Sequence, residues 1–402
     1  WRKLAQMRYK SVIFDFDGTL CNTGEGVMKS AKYALEAFGY SVPENLNELS
    51  YFVGPPLLIT FQEKYGADPA KAAELVNKYR ERYNEKGLYE SKLYDGIEKL
   101  LKALKNDGFK LAIASSKPQK YVEMLLEYFK IKKYFNAVCG VSFKADCEPK
   151  SDIIMRAMKE LETEQRETLV VGDTHFDIDG ARINHMDSTG VLWGFGTKFE
   201  FIEAGAKFIA EKPQDIESIA LGFFEQTEET NGIFSGRIIT VHEDSVMLVD
   251  GTITKREIVE HNGGVGIAAI TENDEILMVR QFRAPYKETI YEIPAGKLEK
   301  NENPKTAGKR ELEEECGVTA ENVFELGKIY PTPGYCSEII HIYGATKLKE
   351  SKQMLDEGEF LDVYRIPLEK AFEKCMNGEF TDAKTIIGIM KIREMKQNGS
   401  LS

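Results

Sequence analysis

The first half of the chain alternates short apolar runs with stretches of helical periodicity. Segments such as IEKLLKALKNDG (97–108) and SDIIMRAMKEL repeat apolar residues every three or four positions, which is typical of amphipathic helices. Between such segments lie apolar runs with the length of buried strands: VIF (12–14), LAIASS (111–116), AVCGV (137–141) and TLVVGD (168–173). This alternation predicts a doubly wound parallel sheet with helices on both faces.

Two further features extend this pattern. The sheet is expected to continue through GVLWG (190–194) and KFIA (207–210). Residues 21–94 differ, because they contain helical patterns such as AELVNKYRERY and little strand-like alternation. We therefore expect a helical segment inserted after the first strand.

The second half of the chain has a different pattern, and a polar stretch, EQTEETNG (225–232), precedes it. We place the domain boundary there, with domains at 1–225 and 226–402. Asp250-Gly251 marks a hairpin, and helices are expected at about 304–315 and 382–396. The strands predicted around them are shorter and alternate: SGRIITV, SVMLVDG, ITKREIVEH, GVGIAAI and EILMVRQF. The second domain is therefore predicted to be α+β.

Composition narrows the function classes. The 402 residues suggest two or three domains, and the 53 basic and 65 acidic side chains give a net charge of −12 without a basic cluster. Nucleic acid is therefore not an expected partner. The chain has no apolar run of the ~20 residues that a membrane helix needs, and no apolar core follows the first charged residues, so a cytoplasmic location is expected. The cysteines have no CxxC spacing and are expected to be reduced thiols.

The first group of candidate catalytic residues lies where the first strand ends. Asp15 and Asp17 are two positions apart, so their side chains share one side of an extended backbone. They would point into the crevice at the carboxyl end of the sheet, where ligands bind in open α/β folds. Two adjacent carboxylates repel each other unless a divalent cation lies between them. Other polar groups follow the later strands in the same way: Ser115, Lys150, Asp173 and Asp177.

These residues, in this order, resemble the four motifs of the haloacid dehalogenase-like phosphatases over about residues 8–222: DFDGTL, IASSKP, EPKSD and GDTHFD. The wider pattern resembles the phosphoglycolate phosphatase branch and its 5′-nucleotidase-like relatives. The resemblance implies that Asp15 is a nucleophile that forms an aspartyl-phosphate, and that Asp17 is the general acid and base. Mg²⁺ would be held by Asp15, the Asp17 carbonyl and Asp173. The resemblance also implies that Asp177 supports either the metal or Lys150, and that Ser115 and Lys150 stabilise the phosphoryl oxygens. Residues at about 21–94 would form a cap that selects the substrate.

The second group lies on the helix predicted near residue 310. Pro304 suits the first turn of this helix and Gly317 suits its end. Glu311, Glu314 and Glu315 stand at i, i+3 and i+4, so they share one face. Like charges at this spacing are destabilising, but hard oxygen ligands are what several Mg²⁺ or Mn²⁺ ions require.

Residues 296–318, GKLEKNENPKTAGKRELEEECGV, match the Nudix box without a departure. The resemblance covers about residues 232–398, and the flanking segments, including Pro333, resemble ADP-ribose pyrophosphatases. It implies that Glu311 and Glu315 are metal ligands, assisted by Glu314 and the Ala295 carbonyl. The resemblance also supplies a candidate base or water-orienting residue, Glu359, for which a solvated loop glutamate is the alternative. Arg310 would orient the glutamates through a bidentate pair, and Arg283 and Glu292 would contact substrate.

We therefore expect a bifunctional, Mg²⁺-dependent hydrolase, with Mn²⁺ as an alternative ion in the Nudix site. The second domain would cleave ADP-ribose to AMP and ribose 5-phosphate, and the first would dephosphorylate a small monoester such as AMP or ribose 5-phosphate. Two alternatives remain. One pairs a phosphoglycolate phosphatase with a nucleoside-diphosphate-sugar pyrophosphatase, and the other makes one domain a nucleotide-binding regulatory module. Through resemblance alone, a homodimer is expected.

Overall fold

The computed structural model describes residues 9–142, 148–299 and 301–401. The chain divides into two compact units. The first comprises Trp1–Gln226 and Met247–Thr252, and the second comprises Thr227–Val246 and Ile253–Ser402. In the described part of the chain, no helix combines the length and apolar character needed to cross a membrane.

The first unit is built on a parallel six-stranded sheet of order β5-β4-β1-β6-β7-β8. Its strands, in chain order, are β1 (Ser11–Phe14), β2 (Cys21–Asn22), β3 (Lys92–Leu93), β4 (Lys110–Pro118), β5 (Ala137–Val141), β6 (Thr168–Gly172), β7 (Asp187–Val191) and β8 (Phe208–Ala210). Its α-helices are α1 (Gly24–Ala37), α2 (Leu57–Tyr65), α3 (Pro69–Glu85), α4 (Ile97–Asn106), α5 (Gln119–Tyr128), α6 (Lys150–Leu161), α7 (His175–Ile183), α8 (Lys198–Ala204) and α9 (Pro213–Leu221). Single turns of 3₁₀ helix cover Gly87–Tyr89, Lys132–Tyr134 and Gln165–Glu167, and a longer one covers Leu46–Phe52.

The central strands carry consecutive apolar residues because helices cover both faces of the sheet. Val12 and Phe14 pack on one side with leucines of α4 and isoleucines of α9. Ile13 faces the other side, where it packs with Ile153 and Ile154 of α6. Burial on both faces leaves the polar residues that follow each strand at the carboxyl edge of the sheet.

The helical segment predicted at 21–94 leaves and rejoins the first unit through a two-stranded antiparallel ribbon. Cys21 pairs with Leu93 and Asn22 pairs with Lys92. Helices α1, α2 and α3 lie between these two short strands. Asp68 accepts a hydrogen bond from the Lys71 amide and Pro69 follows it, a good helix start for α3.

The second unit contains three sheets. A mixed sheet has the order β15-β12-β17-β16, and two antiparallel sheets have the orders β14-β13-β18 and β11-β10-β9. The strands are β9 (Glu225–Ser235), β10 (Ile239–Leu248), β11 (Ile253–His261), β12 (Gly264–Ala269), β13 (Glu275–Arg283), β14 (Glu288–Glu292), β15 (Ala295–Lys297), β16 (Val318–Ile329), β17 (Ile340–Glu350) and β18 (Leu361–Pro367). The helices are α10 (Pro304–Cys316), α11 (Leu368–Met376) and α12 (Ala383–Gln397).

Helices cover both faces of the mixed sheet. Val265 and Ile267 of β12 pack with Leu312 of α10 on one side. On the other side, Ala268 packs with Ile389 of α12. This arrangement places the glutamate-rich helix α10 against the middle of the sheet.

The predicted fold class, a parallel α/β region followed by an α+β region, is confirmed, and so is the hairpin at Asp250-Gly251. The local structure differs from the expectations in three places. EQTEETNG, where the domain boundary is placed, lies in strand β9, because its backbone pairs with β10 while its polar side chains stay mostly exposed. ITV and SVML, predicted as parts of two strands, form one continuous strand, β10. Helix α11 is not anticipated. The cysteines among the described residues are free thiols, as expected.

Candidate functional site

In the first unit, Asp15 follows β1 and lies beside two charged groups from later motifs. Its Oδ1 accepts a 2.5 Å hydrogen bond from Nζ of Lys150, the first residue of α6. The same Nζ lies 2.7 Å from Oδ1 of Asp177. Asp177 is held in turn by the N-terminal turn of α7, because its Oδ2 accepts bonds from the amide and hydroxyl of Thr174. Lys150 therefore joins Asp15 to Asp177.

Asp173 is buried at the end of β6 and is fixed by two donors. Its carboxylate accepts hydrogen bonds from the Thr19 hydroxyl at 3.1 Å and the Phe195 amide at 3.0 Å. Gly18, with a φ of +81°, passes so close that a Cβ there would overlap the Asp173 carboxylate. The glycine of DFDGTL is thus required both for the turn and for the approach of Asp173 to it.

Carboxylate oxygens of Asp15, Asp173 and Asp177 all lie within 4.8 Å of one another. Burial and neighbouring carboxylates raise the pKa of Asp15 to about 7, against the lowering effect of Lys150, and burial raises the pKa of Asp173 well above its usual value. Within this cluster of three carboxylates, the ammonium group of Lys150 pairs with two, those of Asp15 and Asp177. An excess of buried carboxylate oxygens is a donor set that suits a hard divalent cation.

Asp17 is held away from this cluster by two different donors. The Thr23 hydroxyl donates to Oδ1 at 2.5 Å, and Nζ of Lys117 donates to Oδ2 at 2.9 Å. Lys117 is buried, and Asp17 raises its pKa although burial alone would lower it. Sequence reasoning missed Lys117. Its signal was the two-residue spacing from Ser115 in IASSKP, which directs both side chains to one side of a strand end.

The carboxylates open into a cavity of about 280 Å³ between the sheet edge and the helical segment. Ser115, buried at the end of β4, lines it from below. Tyr79, Arg80 and Tyr83 of α3 line it from the helical segment, and the rings of Tyr79 and Tyr83 stack with their centroids 5.2 Å apart. The structure therefore brings five predicted residues of the first site, Asp15, Asp17, Ser115, Lys150 and Asp173, to one cavity with an aromatic wall. Asp177 is not part of the cavity lining and joins the site through Lys150.

In the second unit, the three glutamates lie on α10, which begins at Pro304 and ends at Gly317 as predicted. Asn303 caps the first turn, Pro304 begins the helix, and Gly317 ends it in the left-handed conformation with a φ of +62°. Gly296 runs so close to the helix that a Cβ there would overlap the Glu311 carboxylate. This close approach explains why a glycine begins the 296–318 motif.

Glu315 is the most buried of the three glutamates and is 2% exposed. Its Oε2 accepts a 2.9 Å hydrogen bond from the Ala295 amide, which brings β15 to the helix. Burial, with help from Glu311 and Glu359, raises the pKa of Glu315 to about 8, and burial also raises the pKa of Glu311. Among the described residues these carboxylates do not form a cluster as tight as the one in the first unit.

Arg310 bridges the glutamates. Its Nη1 lies 2.9 Å from Oε1 of Glu311 and 2.7 Å from Oε2 of Glu314, and its Nε lies 3.4 Å from Glu302. The resemblance implies a bidentate pair, and in the structure Nη1 contacts two of the glutamates at once. One guanidinium is shared among three carboxylates, which fixes their relative positions.

Glu359 lies in the loop 356–360 before β18. Its Oε1 accepts a 3.0 Å hydrogen bond from Nε2 of Gln281, and its backbone amide closes a turn on Asp356. Glu357, its neighbour across Gly358, is exposed. Gln281 was missed by sequence reasoning, although it alternates with Arg283 along β13. The predicted substrate contacts Arg283 and Glu292 are ion-paired to each other at 2.6 Å.

Two family models match the chain. The first is the haloacid dehalogenase-like hydrolase model, over residues 12–191. The second is the NUDIX domain model, over residues 260–386. The two matched stretches contain the two groups of carboxylates described above.

Known proteins resemble each part. An ADP-ribose pyrophosphatase of Bacillus subtilis is 43% identical over 171 residues, which is 42% of this chain and 92% of that protein. A 5′-nucleotidase of Pseudomonas aeruginosa is 37% identical over 196 residues, 49% of this chain and 88% of that protein. The crystal structure of a predicted phosphatase from Clostridium acetobutylicum matches with a TM-score of 0.50 and 40% identity, covering 52% of this chain and 97% of that one. The chain is therefore a hydrolase that belongs to the haloacid dehalogenase-like family through its first unit and to the Nudix family through its second.

Proposed function

We propose that the first unit hydrolyses a phosphomonoester through an aspartyl-phosphate on Asp15. The observation that best supports this proposal is that Asp15, Lys150 and Ser115 line one cavity at the edge of the sheet. In this proposal the Asp15 carboxylate attacks phosphorus, the bond from phosphorus to the ester oxygen breaks, and the leaving alcohol takes a proton from Asp17. Water then attacks phosphorus with Asp17 as base, which releases phosphate and restores Asp15. Lys150 and Ser115 would stabilise the charge on the phosphoryl oxygens.

A divalent cation fits this site because of its donor set. Asp15 and Asp173, with the Asp17 carbonyl, would hold Mg²⁺, and Asp177 would support Lys150 or the ion. When bound, Mg²⁺ would offset the negative charge of the phosphoryl group and its surrounding carboxylates. The contacts of Asp177 with Thr174 and Lys150 favour the supporting role.

For the second unit we infer cleavage of ADP-ribose to AMP and ribose 5-phosphate. The resemblance to the Bacillus subtilis ADP-ribose pyrophosphatase supports this substrate. Water would attack one phosphorus of the diphosphate, and the bridging P–O bond would break. Glu311 and Glu315, with Glu314 and the Ala295 carbonyl, would hold Mg²⁺ or Mn²⁺, which would supply a more acidic water. Glu359, held by Gln281, would orient that water or take its proton.

We further propose that the first unit consumes a product of the second, with AMP as first choice and ribose 5-phosphate as second. The 5′-nucleotidase relative supports AMP. The cavity above Asp15 also supports it, because stacked tyrosines and Phe52 give the wall an aromatic surface suited to a nucleoside. Phosphoglycolate, the alternative substrate, has a small charged leaving group that makes little use of such a wall.

The test is to supply the full chain with ADP-ribose and Mg²⁺ and to follow the products over time. Adenosine, phosphate and ribose 5-phosphate are expected if AMP is the second substrate. AMP, ribose and phosphate would instead indicate ribose 5-phosphate. If both monoesters accumulate while phosphoglycolate is hydrolysed, the proposed sequence of reactions is wrong, and if ADP-ribose stays intact the Nudix assignment is wrong.

A further inference from the structure

A buried group of charges lies outside the Nudix motif, where β14 meets the start of α12. Glu292, at the end of β14, is 3% exposed, and Lys384, in the first turn of α12, is 7% exposed. Nζ of Lys384 lies 2.8 Å from Oε1 of Glu292 and 3.0 Å from Oδ1 of Asp382. Buried charges are costly unless each has a partner, so this pairing constrains all three side chains.

The two oxygens of Glu292 serve different partners. Oε1 accepts from Lys384, while Oε2 accepts from both Nε of Arg283 at 2.8 Å and Nη2 of Arg283 at 2.6 Å. A carboxylate and a guanidinium otherwise prefer a fork-to-fork pair that uses both oxygens. Here Lys384 holds Oε1, and Arg283 makes both of its contacts with Oε2. Both contacts of Arg283 with Glu292 use Nε and Nη2, so Nη1 is the terminal nitrogen that takes part in neither of them.

Further contacts make the start of α12 rigid. Asp382 caps the helix through the Thr385 amide at 3.0 Å and accepts a 2.5 Å bond from the Thr385 hydroxyl. The same hydroxyl accepts a 2.8 Å bond from the amide of Ile293, the residue after Glu292. The chain then continues through Pro294 to Ala295, whose amide binds Glu315. One helix end thus holds the segment that separates Arg283 from the metal-ligating glutamates.

We propose that Lys384 is a positioning residue of the ADP-ribose site. By holding Oε1 of Glu292, it orients the Arg283 guanidinium, and this orientation presents Nη1 to a phosphate of the substrate's diphosphate group. The inference rests on the proposed function, in which Arg283 contacts the substrate. It assigns Lys384 an effect on diphosphate binding that requires no contact between Lys384 and the substrate.

The test compares the wild-type chain with Lys384→Met, which keeps the side-chain stem and removes the charge. We expect the KM for ADP-ribose to rise about tenfold while kcat changes less than about threefold, because a charge-assisted contact to the substrate is misdirected. Calorimetric titration of ADP-ribose in EDTA should show a matching loss of affinity, which separates this effect from metal binding. Lys384→Arg, which restores a donor to Oε1, should recover part of the affinity.

Two further variants address folding. Lys391→Met removes another lysine anchor of α12, one whose ammonium contacts the Leu326 carbonyl, and it should leave KM unchanged. The double variant Lys384→Met/Glu292→Gln removes the buried charge together with its partner, so it should fold while retaining the raised KM. If wild type cleaves ADP-ribose and the folded double variant keeps a KM within about twofold of it, the positioning role is wrong and the proposed function stands. If wild type neither binds nor cleaves ADP-ribose, both are wrong.

Discussion

The two carboxylate sites of this chain compensate their negative charge in opposite ways. In the first unit, the acidic residues follow two strands, β1 and β6, and they pair with lysines that reach them from β4 and α6. In the second unit, the acidic residues come from two turns of one helix, and a single arginine on that helix bridges them. The first site is thus assembled by tertiary structure, and the second is largely local.

Because of this difference, removing a basic side chain should cost more in the first site than in the second. Lys117 is buried against Asp17, and the largely buried Lys150 pairs with both Asp15 and Asp177, so removal of either lysine leaves a carboxylate without its ammonium partner. Arg310 is 38% exposed, and solvent can partly replace what it provides.

Asp15→Asn should reduce phosphomonoester hydrolysis by about 10³-fold or more, because the covalent step disappears. Phosphate release from AMP and from a panel of monoesters measures it. Asp179→Asn, which alters an aspartate of α7 paired with Arg182 outside the cavity, is the matched control and should stay near wild type. ADP-ribose cleavage should persist in both variants. Near-normal phosphate release by Asp15→Asn would contradict the nucleophile assignment.

Glu315→Gln should reduce ADP-ribose cleavage by about 10²-fold, with partial recovery at higher Mg²⁺, because it removes a buried carboxylate from the helix face proposed to hold the metal. Glu313→Gln changes the same helix at a residue bonded to Ser351, and it should have little effect. Initial rates over a range of Mg²⁺ concentrations give the comparison. Equal rates for the two variants would remove Glu315 from the site.

Lys117→Met should reduce monoester hydrolysis by about tenfold, since Asp17 loses the partner that holds its Oδ2. Lys120→Met, at an exposed position of α5, is the control. The variant should also lose thermal stability, unlike the control. If Lys117→Met has full activity, the lysine is only a structural partner of Asp17 and the contrast drawn above is weaker.

The smallest expected effect is a pH dependence of stability in EDTA. Burial raises the pKa of Asp15 to about 7 and that of Glu315 to about 8, whereas both are ionised in the unfolded chain above about pH 4–5. The folded state therefore binds more protons over this interval, and the free energy of unfolding should fall as pH rises from about 4 towards 7 and 8.

Thermal unfolding between pH 5 and 8.5 should show this as a decline on the order of a few degrees. Asp15→Asn should remove the part of the decline that ends near pH 7, and Glu315→Gln the part that ends near pH 8. Added Mg²⁺ should offset the decline, because a bound cation favours the ionised carboxylates. A stability that rises with pH in EDTA would contradict the pKa shifts.

The same contrast explains how much could be read from the sequence. The helix spacing of Glu311, Glu314 and Glu315 directly predicts their shared face, and the structure places them so. The strand-end motifs of the first unit predict which residues approach one another, because parallel strands end at one edge. Lys117 escaped detection because its burial depends on Tyr83 and Asp17, which are distant in sequence.

The sequence did not predict the burial of Lys384 or the strand β9, for two different reasons. A lysine in the first turn of a helix is usually solvated, and only tertiary contact with Glu292 reveals the buried pair. The polar residues of EQTEETNG resemble a linker, since a strand that buries neither face has no apolar alternation to display. Backbone pairing with β10 determines its structure, and that information lies outside the segment.

The ribbon formed by β2 and β3 divides the residues around the cavity into those that can change with the helical segment and those that belong to the sheet. The chain leaves the sheet domain at Asn22 and returns at Lys92, and these two residues lie on adjacent, paired strands. The residues between them are therefore a single insertion between two neighbouring points of the fold. Insertions, deletions or wholesale exchange within this segment need not disturb the order of the sheet. Asp15, Lys150 and Asp173 lie outside it, whereas Tyr79, Arg80 and Tyr83 lie inside it. A lineage can therefore alter the walls of the cavity without altering the carboxylates and the lysine at the edge of the sheet.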